Sequence, residues 1–223
     1  MTGGYTNSLS HFSNGSNLTN TTGNVLTGGG SYAVSPQTSL LSDYAFSKFS
    51  FSGGSATAGT SSTDTHVVNV GVKQQFAADL DVTARAGGTY LPAQDRLTPN
   101  FDMGVTKKFS ASSAAVHFSR SVASSGGLAA LVSTREVHSL LLTHQVTAAL
   151  ATTLSANYST NKSVGIRTVD LTSYQLSPGL RYAFSRYVSL TASYVYLKSD
   201  SQGVTGTSLN RNQFIIGMTA TWP

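Results

Sequence analysis

Apolar and polar side chains alternate along this chain with a period of two, and no apolar run is long enough to cross a bilayer as a helix. Val68, Val70, Val72 and Phe76 stand against Asn69, Gly71, Lys73 and Gln75. Leu80, Val82, Ala84, Ala86 and Tyr90 stand against Asp81, Thr83, Arg85, Gly87 and Thr89. The same rhythm returns in Phe101-Phe109, in Leu176-Phe184, in Val188-Tyr196 and in Phe214, Ile216, Met218 and Trp222. Successive side chains of a strand point to opposite faces, so each segment makes a ribbon with one apolar and one polar face. The densest apolar cluster is Leu140-Leu141-Leu142, far short of the ~18–20 residues a spanning helix needs. A helical membrane protein is therefore excluded. A β-barrel is not, because a membrane strand needs only about 9–11 residues, with every second one apolar.

A half-buried soluble sheet alternates in the same way, so the connections have to discriminate. Short turns fall near 35–37, 77–79, 110–113, 148–152 and 185–187. Between them lie longer Gly/Ser/Asn-rich connections at 53–64, 91–96, 123–135, 160–171 and 199–211. Short and long alternate throughout, as in outer-membrane barrels with short periplasmic turns and longer extracellular loops. A soluble sandwich with Greek-key connections has no reason to sort its loops so. Phe76, Phe109, Phe184 and Tyr187 sit beside short turns, and Tyr90, Phe118, Tyr158, Tyr174 and Tyr196 near long ones. Two aromatic girdles at the two bilayer interfaces produce that placement. Strand segments are expected near 24–34, 38–51, 65–76, 80–91, 97–109, 114–122, 136–147, 152–160, 172–184, 188–198 and 212–222. The weakly alternating stretch 4–12 makes a twelfth. The apolar residues of 128–150 also suit a helix face, but their neighbours favour a strand. The expected fold is all-β: one closed antiparallel transmembrane β-barrel of about 12 strands, a single domain over 1–223 with 1–23 the weakest part.

Composition removes other classes. Only 10% of residues are charged and 39% are hydrophobic, whereas a soluble domain carries about 25% charge. Disorder goes with high net charge and low hydrophobicity, which this chain does not have. Cysteine is absent, so structural disulfides and thiolate-metal sites are excluded. The net charge of +5 comes from scattered Lys and Arg without a dense run. Nucleic-acid binding is not expected; attraction to anionic lipid headgroups is the milder consequence. Met1-Thr2-Gly3-Gly4 lacks the basic and apolar regions of a signal peptide. An exported barrel needs one, so Met1 is not expected to be the start of the exported precursor.

The charges on the polar face are the candidate lumen lining: Asp43, Lys73, Asp81, Arg85, Asp102, Lys108 and Arg181, with His117 beside them. They suit a pore that sets ion or saccharide preference. Alternatively they pair with one another and plug a narrow barrel. Eight strands leave a filled interior and 16–18 an aqueous channel, and twelve lies between. The bases slightly outnumber the acids on that face, which favours small anions or acidic sugars. Enzymatic activity is not expected, and neither is a cofactor or a metal. His144 falls on the apolar face beside serines with no surrounding motif, and the five histidines lack metal-ligand spacing such as H-E-x-x-H. Gly28-Gly29-Gly30 runs into strand residues rather than a helix, so it is no phosphate loop. Asn17-Leu18-Thr19 and Asn20-Thr21-Thr22 match the glycosylation sequon but are expected to be polar loop.

The C-terminal half carries a family resemblance. Ser185-Arg186-Tyr187-Val188-Ser189-Leu190, Ala192-Ser193-Tyr194-Val195-Tyr196, Asp200-Ser201 and Asn210-Arg211-Asn212-Gln213-Phe214-Ile215-Ile216-Gly217 are similar to stretches of the outer-membrane β-barrel porins of Gram-negative bacteria. These include barrels associated with exopolysaccharide export. Arg135, Leu154-Ser155-Ala156-Asn157-Tyr158-Ser159 and Ser124-Ser125-Gly126-Gly127 recur in similar style. The resemblance covers roughly 120–223. The ending, with Phe214, Ile216, Met218 and Trp222, looks like the C-terminal signal read by the barrel-assembly machinery, although Pro223 follows the aromatic. The resemblance implies an outer-membrane location and porin-like passage of small solutes or support of polysaccharide export. The partners it implies are outer-membrane lipid and the assembly machinery, with small anionic or saccharide solutes as cargo. The alternatives are a non-conducting surface scaffold, a part of a larger barrel, and a soluble all-β protein.

Overall fold

The computed structural model describes residues 1–10, 20–52, 61–123, 133–163, 170–202 and 206–221. They form twelve strands: β1 (Thr2–Ser10), β2 (Asn20–Ser35), β3 (Thr38–Ser52), β4 (Ser61–Ala77), β5 (Leu80–Leu91), β6 (Arg96–Lys108), β7 (Ser112–Ala123), β8 (Ser133–Gln145), β9 (Leu150–Ser163), β10 (Asp170–Ala183), β11 (Val188–Gln202) and β12 (Thr207–Ala220). All belong to one sheet whose spatial order is the chain order, and every neighbouring pair is antiparallel, from β1–β2 to β11–β12. Segment 128–150, open to a helical reading in sequence, supplies strand β8. At the two ends of the sheet, β1 has only β2 as its ladder partner and β12 only β11 among the described residues.

Each expected strand is present, and most are longer than the hydropathy pattern implies. The extra residues lie on the side of the long connections. Ser61–Asp64, Ser133–Arg135, Thr160–Ser163 and Thr207–Arg211 were expected to be loop and are paired strand. So are the sequon residues Asn20–Thr22, which pair with β3. The cause is physical: ladder hydrogen bonds need only extended backbone and carry no demand on side-chain hydropathy, whereas the sequence pattern finds a strand only where its two faces differ in polarity. The connection 91–96 is short rather than long, a single 3-10 turn at Pro92–Gln94 closed by Asp95 with φ 45. The centres of the other long connections, and the sequon Asn17-Leu18-Thr19, lie outside the described residues. Register shifts next to the short turns, between Ala33 and Ser35 and between Gln75 and Ala77, mark bulges that bend the strand ends.

The ladder registers sort the side chains into two faces. One face carries Leu40, Tyr44, Val68, Val70, Val72, Ala84, Phe101, Met103, Val116, Leu154, Leu176, Leu180, Leu190, Phe214, Ile216 and Met218. Most of these large side chains are exposed, among them Val70 at 62%, Ile216 at 64% and Met218 at 72%. Leu91 is the one buried hydrophobic residue among the described residues. The accessible surface is 14085 Å², whereas a compact soluble protein of this mass exposes about 9,700 Å². Among the described residues a single sheet is present and no second layer covers its apolar face, so they form no two-sheet sandwich.

Aromatic residues bound the apolar face. On the long-connection side, Phe118, His138, Tyr158 and Tyr174 stack in a row across β7–β10, with ring centroids 4.7, 5.6 and 4.9 Å apart. Just beyond that row lies the ion pair Arg120–Glu136 (3.6 Å), and Lys198, level with Tyr174, reaches Asp200 (3.3 Å). On the short-turn side, Phe76, Phe109 and Phe184 are exposed, and Tyr182 meets Phe184 edge-on at 4.8 Å. From Tyr174 to Phe184 is roughly 33 Å along a strand at about 3.3 Å per residue. A tilt of about 40° reduces that to about 25 Å, the height of the apolar band on a membrane barrel.

Candidate functional site

The other face carries the hydroxyl, amide and charged side chains, and the ladder places every charged candidate from the sequence on it. Asp43 lies across from Asn69, Lys73 from Thr83, and Arg85 from Gly71. Arg85 also faces Asp102, and Asp81 faces Thr106. Lys108 pairs with Ser113 and His117 with Gly104, while Arg181 lies between Ala151 and Thr191. The face is not purely polar: Leu141, Leu209 and Ile215 share its phase and are exposed there.

Four of the eight candidates form one cluster across β3–β7. Asn69 Nδ2 donates to Asp43 Oδ2 at 2.6 Å. Arg85 reaches Asp43 through Nε at 3.8 Å and Asp102 through Nη1 at 3.5 Å. His117 Nε2 lies 2.8 Å from Asp102 Oδ2; a carboxylate only accepts, so this nitrogen carries the hydrogen. Arg85 can cross β4 because position 71 is glycine. A Cβ there would fall on the Ala84 carbonyl oxygen and 2.6 Å from Arg85 Cγ. The side chains of the Arg85 pairs are 34–40% exposed, so each contact is screened and contributes about 0–1 kcal/mol. The cluster fixes side-chain positions more than it stabilises the fold. Lys73, Asp81, Lys108 and Arg181 stand outside it and form no ion pair among the described residues.

Three further cations share the polar phase and were not among the candidates: Arg96, opposite Leu91; Arg135, opposite Ser121 and Asn161; and Arg211, opposite Leu197. Each sits in a stretch whose composition reads as loop. The signal that finds them is phase: counting in twos from Ser139 reaches Arg135, and from Ile215 reaches Arg211. On the apolar face, His144 Nδ1 meets Ser112 Oγ at 2.7 Å near a short turn, and no carboxylate joins them among the described residues. No group of three or more His, Asp or Glu side chains converges as a metal site among the described residues.

A twelve-stranded antiparallel meander in chain order, with an exposed apolar face, aromatic rows and a charged polar face, has the make-up of a porin-type sheet. Residues 103–222, more than half of the chain, match the protein family described as "Putative beta-barrel porin 2", and the chain belongs to that family. No curated protein matches the chain.

Proposed function

We propose that β12 closes against β1, that the polar face turns inward, and that the resulting outer-membrane barrel passes small solutes passively. The observation that carries this reading is the two-faced sheet. Its apolar face is exposed along the strands, and in lipid every backbone group must be hydrogen-bonded, which only closure achieves for a sheet. Twelve antiparallel strands in chain order are an even number that brings the ends together without a crossover. Outer-membrane lipid then covers the apolar face, and β12, with Phe214, Ile216 and Met218 in alternation, is the strand the barrel-assembly machinery engages. The short turns face the periplasm and the long connections the cell exterior. Catalysis has no part in this reading. Support of polysaccharide export is its narrower form, favoured by the Ser, Thr, Asn and Gln side chains that share the polar face of β9–β11.

A second reading, a non-conducting scaffold, is favoured by the Asp43–Arg85–Asp102–His117 cluster, which draws side chains across the interior. Single-channel recording of the refolded protein in planar bilayers separates the two. Passage predicts discrete, long-lived conductance steps in KCl. A membrane-inserted, folded barrel without steps refutes passage and leaves the scaffold.

A further inference from the structure

The acids of the polar face are confined to one part of the sheet. The chain has nine Asp and Glu residues, and only Asp43, Asp81 and Asp102 share the polar phase, on β3, β5 and β6. After Asp102 the acids are Glu136, Asp170 and Asp200. All three pair into the opposite phase, with Arg120, Lys162 and Ser208 across from them. The polar face of β8–β12 thus carries three arginines, Arg135, Arg181 and Arg211, with no carboxylate on the same wall. By contrast, the guanidinium of β5, Arg85, is held between two carboxylates.

These three arginines have little to hold them. Arg211 Nη2 donates to Gln213 Oε1 at 2.9 Å, and neither Arg135 nor Arg181 makes an ion pair among the described residues. Arg181 pairs with the small residue Ala151, and the next residue on its own face is Gly179. The registers also stagger them. Arg181 lies level with Gly217 on β12 through Thr191, and Arg135 level with Thr207 through Asn161, Leu171 and Ser201. Measured on β12, the charges at 207, 211 and 217 are roughly 13 and 20 Å apart at about 3.3 Å per residue. Those gaps exceed the screening length of about 8 Å at physiological ionic strength, so each guanidinium acts as a separate station. Between them the wall presents Asn157, Gln175, Ser155, Ser173 and Ser177, donors and acceptors that suit sugar hydroxyls.

We propose that this acid-free wall is a ladder of guanidinium stations selecting small carboxylate-bearing solutes, sugar acids in particular, over neutral sugars and cations. It rests on the passage reading above. A guanidinium meets a carboxylate with two parallel hydrogen bonds, which gives sugar acids a contact that chloride and neutral sugars lack.

The test uses the full chain in planar bilayers under a KCl gradient, with glucuronate and glucose as added probes. The reversal potential should show chloride passing in preference to potassium. Glucuronate should interrupt the current, and glucose at the same concentration should not. The triple variant R135Q/R181Q/R211Q should lose the chloride preference and weaken the glucuronate block about tenfold or more. The triple lysine variant should keep the chloride preference while losing most of the block. Absence of any conductance refutes passage itself. Conductance that prefers potassium, that both sugars block equally, or that the glutamine variant leaves unchanged overturns the ladder while passage stands.

Discussion

Ile215 and Ile216 are adjacent, identical in chemistry and opposite in face, so one substitution applied to both isolates what the faces do. Ile216 pairs with Ala192 and is flanked along its face by Phe214 and Met218; Ile215 pairs with Ser193, between Gln213 and Gly217. Ile216 is level with Ala192 and Leu180, in the middle of the apolar band between Tyr174 and Phe184. Arginine there stands near the bilayer midplane, at a cost of about 2–4 kcal/mol. At Ile215 it stands on the polar face, where water and Gln213 solvate it, and the cost is about 0–1 kcal/mol. Both variants lose the same isoleucine, so that contribution largely cancels. The difference of about 1–4 kcal/mol corresponds to about 5- to 800-fold in the folding equilibrium. Urea titration of refolding into phosphatidylcholine vesicles, read by the gel shift of the folded barrel, measures it. Ile216→Arg should unfold at markedly lower urea than Ile215→Arg. Equal midpoints, or the reverse order, refute the assignment of faces.

Three smaller effects follow from the same geometry. Gly71→Val places side-chain carbons on the path of Arg85 and against the Ala84 carbonyl, and should destabilise the barrel by about 1–3 kcal/mol in the same titration; an unchanged midpoint contradicts the crossing of Arg85 over β4. At a short turn, the hydrogen bond to Lys107 holds the Asp79 carboxyl below its ordinary value of 3.8. That contact stabilises the fold above pH 3.8 and is lost as pH falls through the lowered folded value. Asp79→Asn should therefore lower the urea midpoint at pH 7 and converge with the unsubstituted protein in strong acid; a gap that widens on acidification refutes the pairing. An epitope tag inserted after Gly126 should be recognised by antibody on intact cells, and one inserted after Ala78 only after permeabilisation; the opposite result inverts the topology.

Much of this fold is legible in the sequence because a strand with one apolar and one polar face declares both in its alternation. Val68, Val70 and Val72 against Asn69, Gly71 and Lys73 fix both the strand and its orientation without tertiary information. Legibility fails where the constraint lapses. Beyond the aromatic rows hydropathy no longer alternates, and the paired ends at Ser61–Asp64 and Thr207–Arg211 read as loop. The same lapse hid Arg96, Arg135 and Arg211. The charge cluster was visible as residues but not as a cluster, since the contact of Asp43 with Arg85 depends on skipping a strand over Gly71. Alternation gives the face of each residue and not its axial level. Levels come from the registers: they set Lys108 six residues along β6 from Asp102, while Lys73, level with His117 through Thr83 and Gly104, lies three strands away from it.

The claim beneath all of this is that one face of the sheet meets lipid and the other meets water. The chain has no cysteine, so single cysteines introduced at Leu190, Thr191, Ala192, Ser193 and Tyr194 of β11 report without background. Refolded in vesicles and treated with a membrane-impermeant maleimide, Thr191→Cys and Ser193→Cys should label. Leu190→Cys, Ala192→Cys and Tyr194→Cys should stay protected until detergent is added. Labelling of all five, or labelling of the even positions alone, contradicts the account.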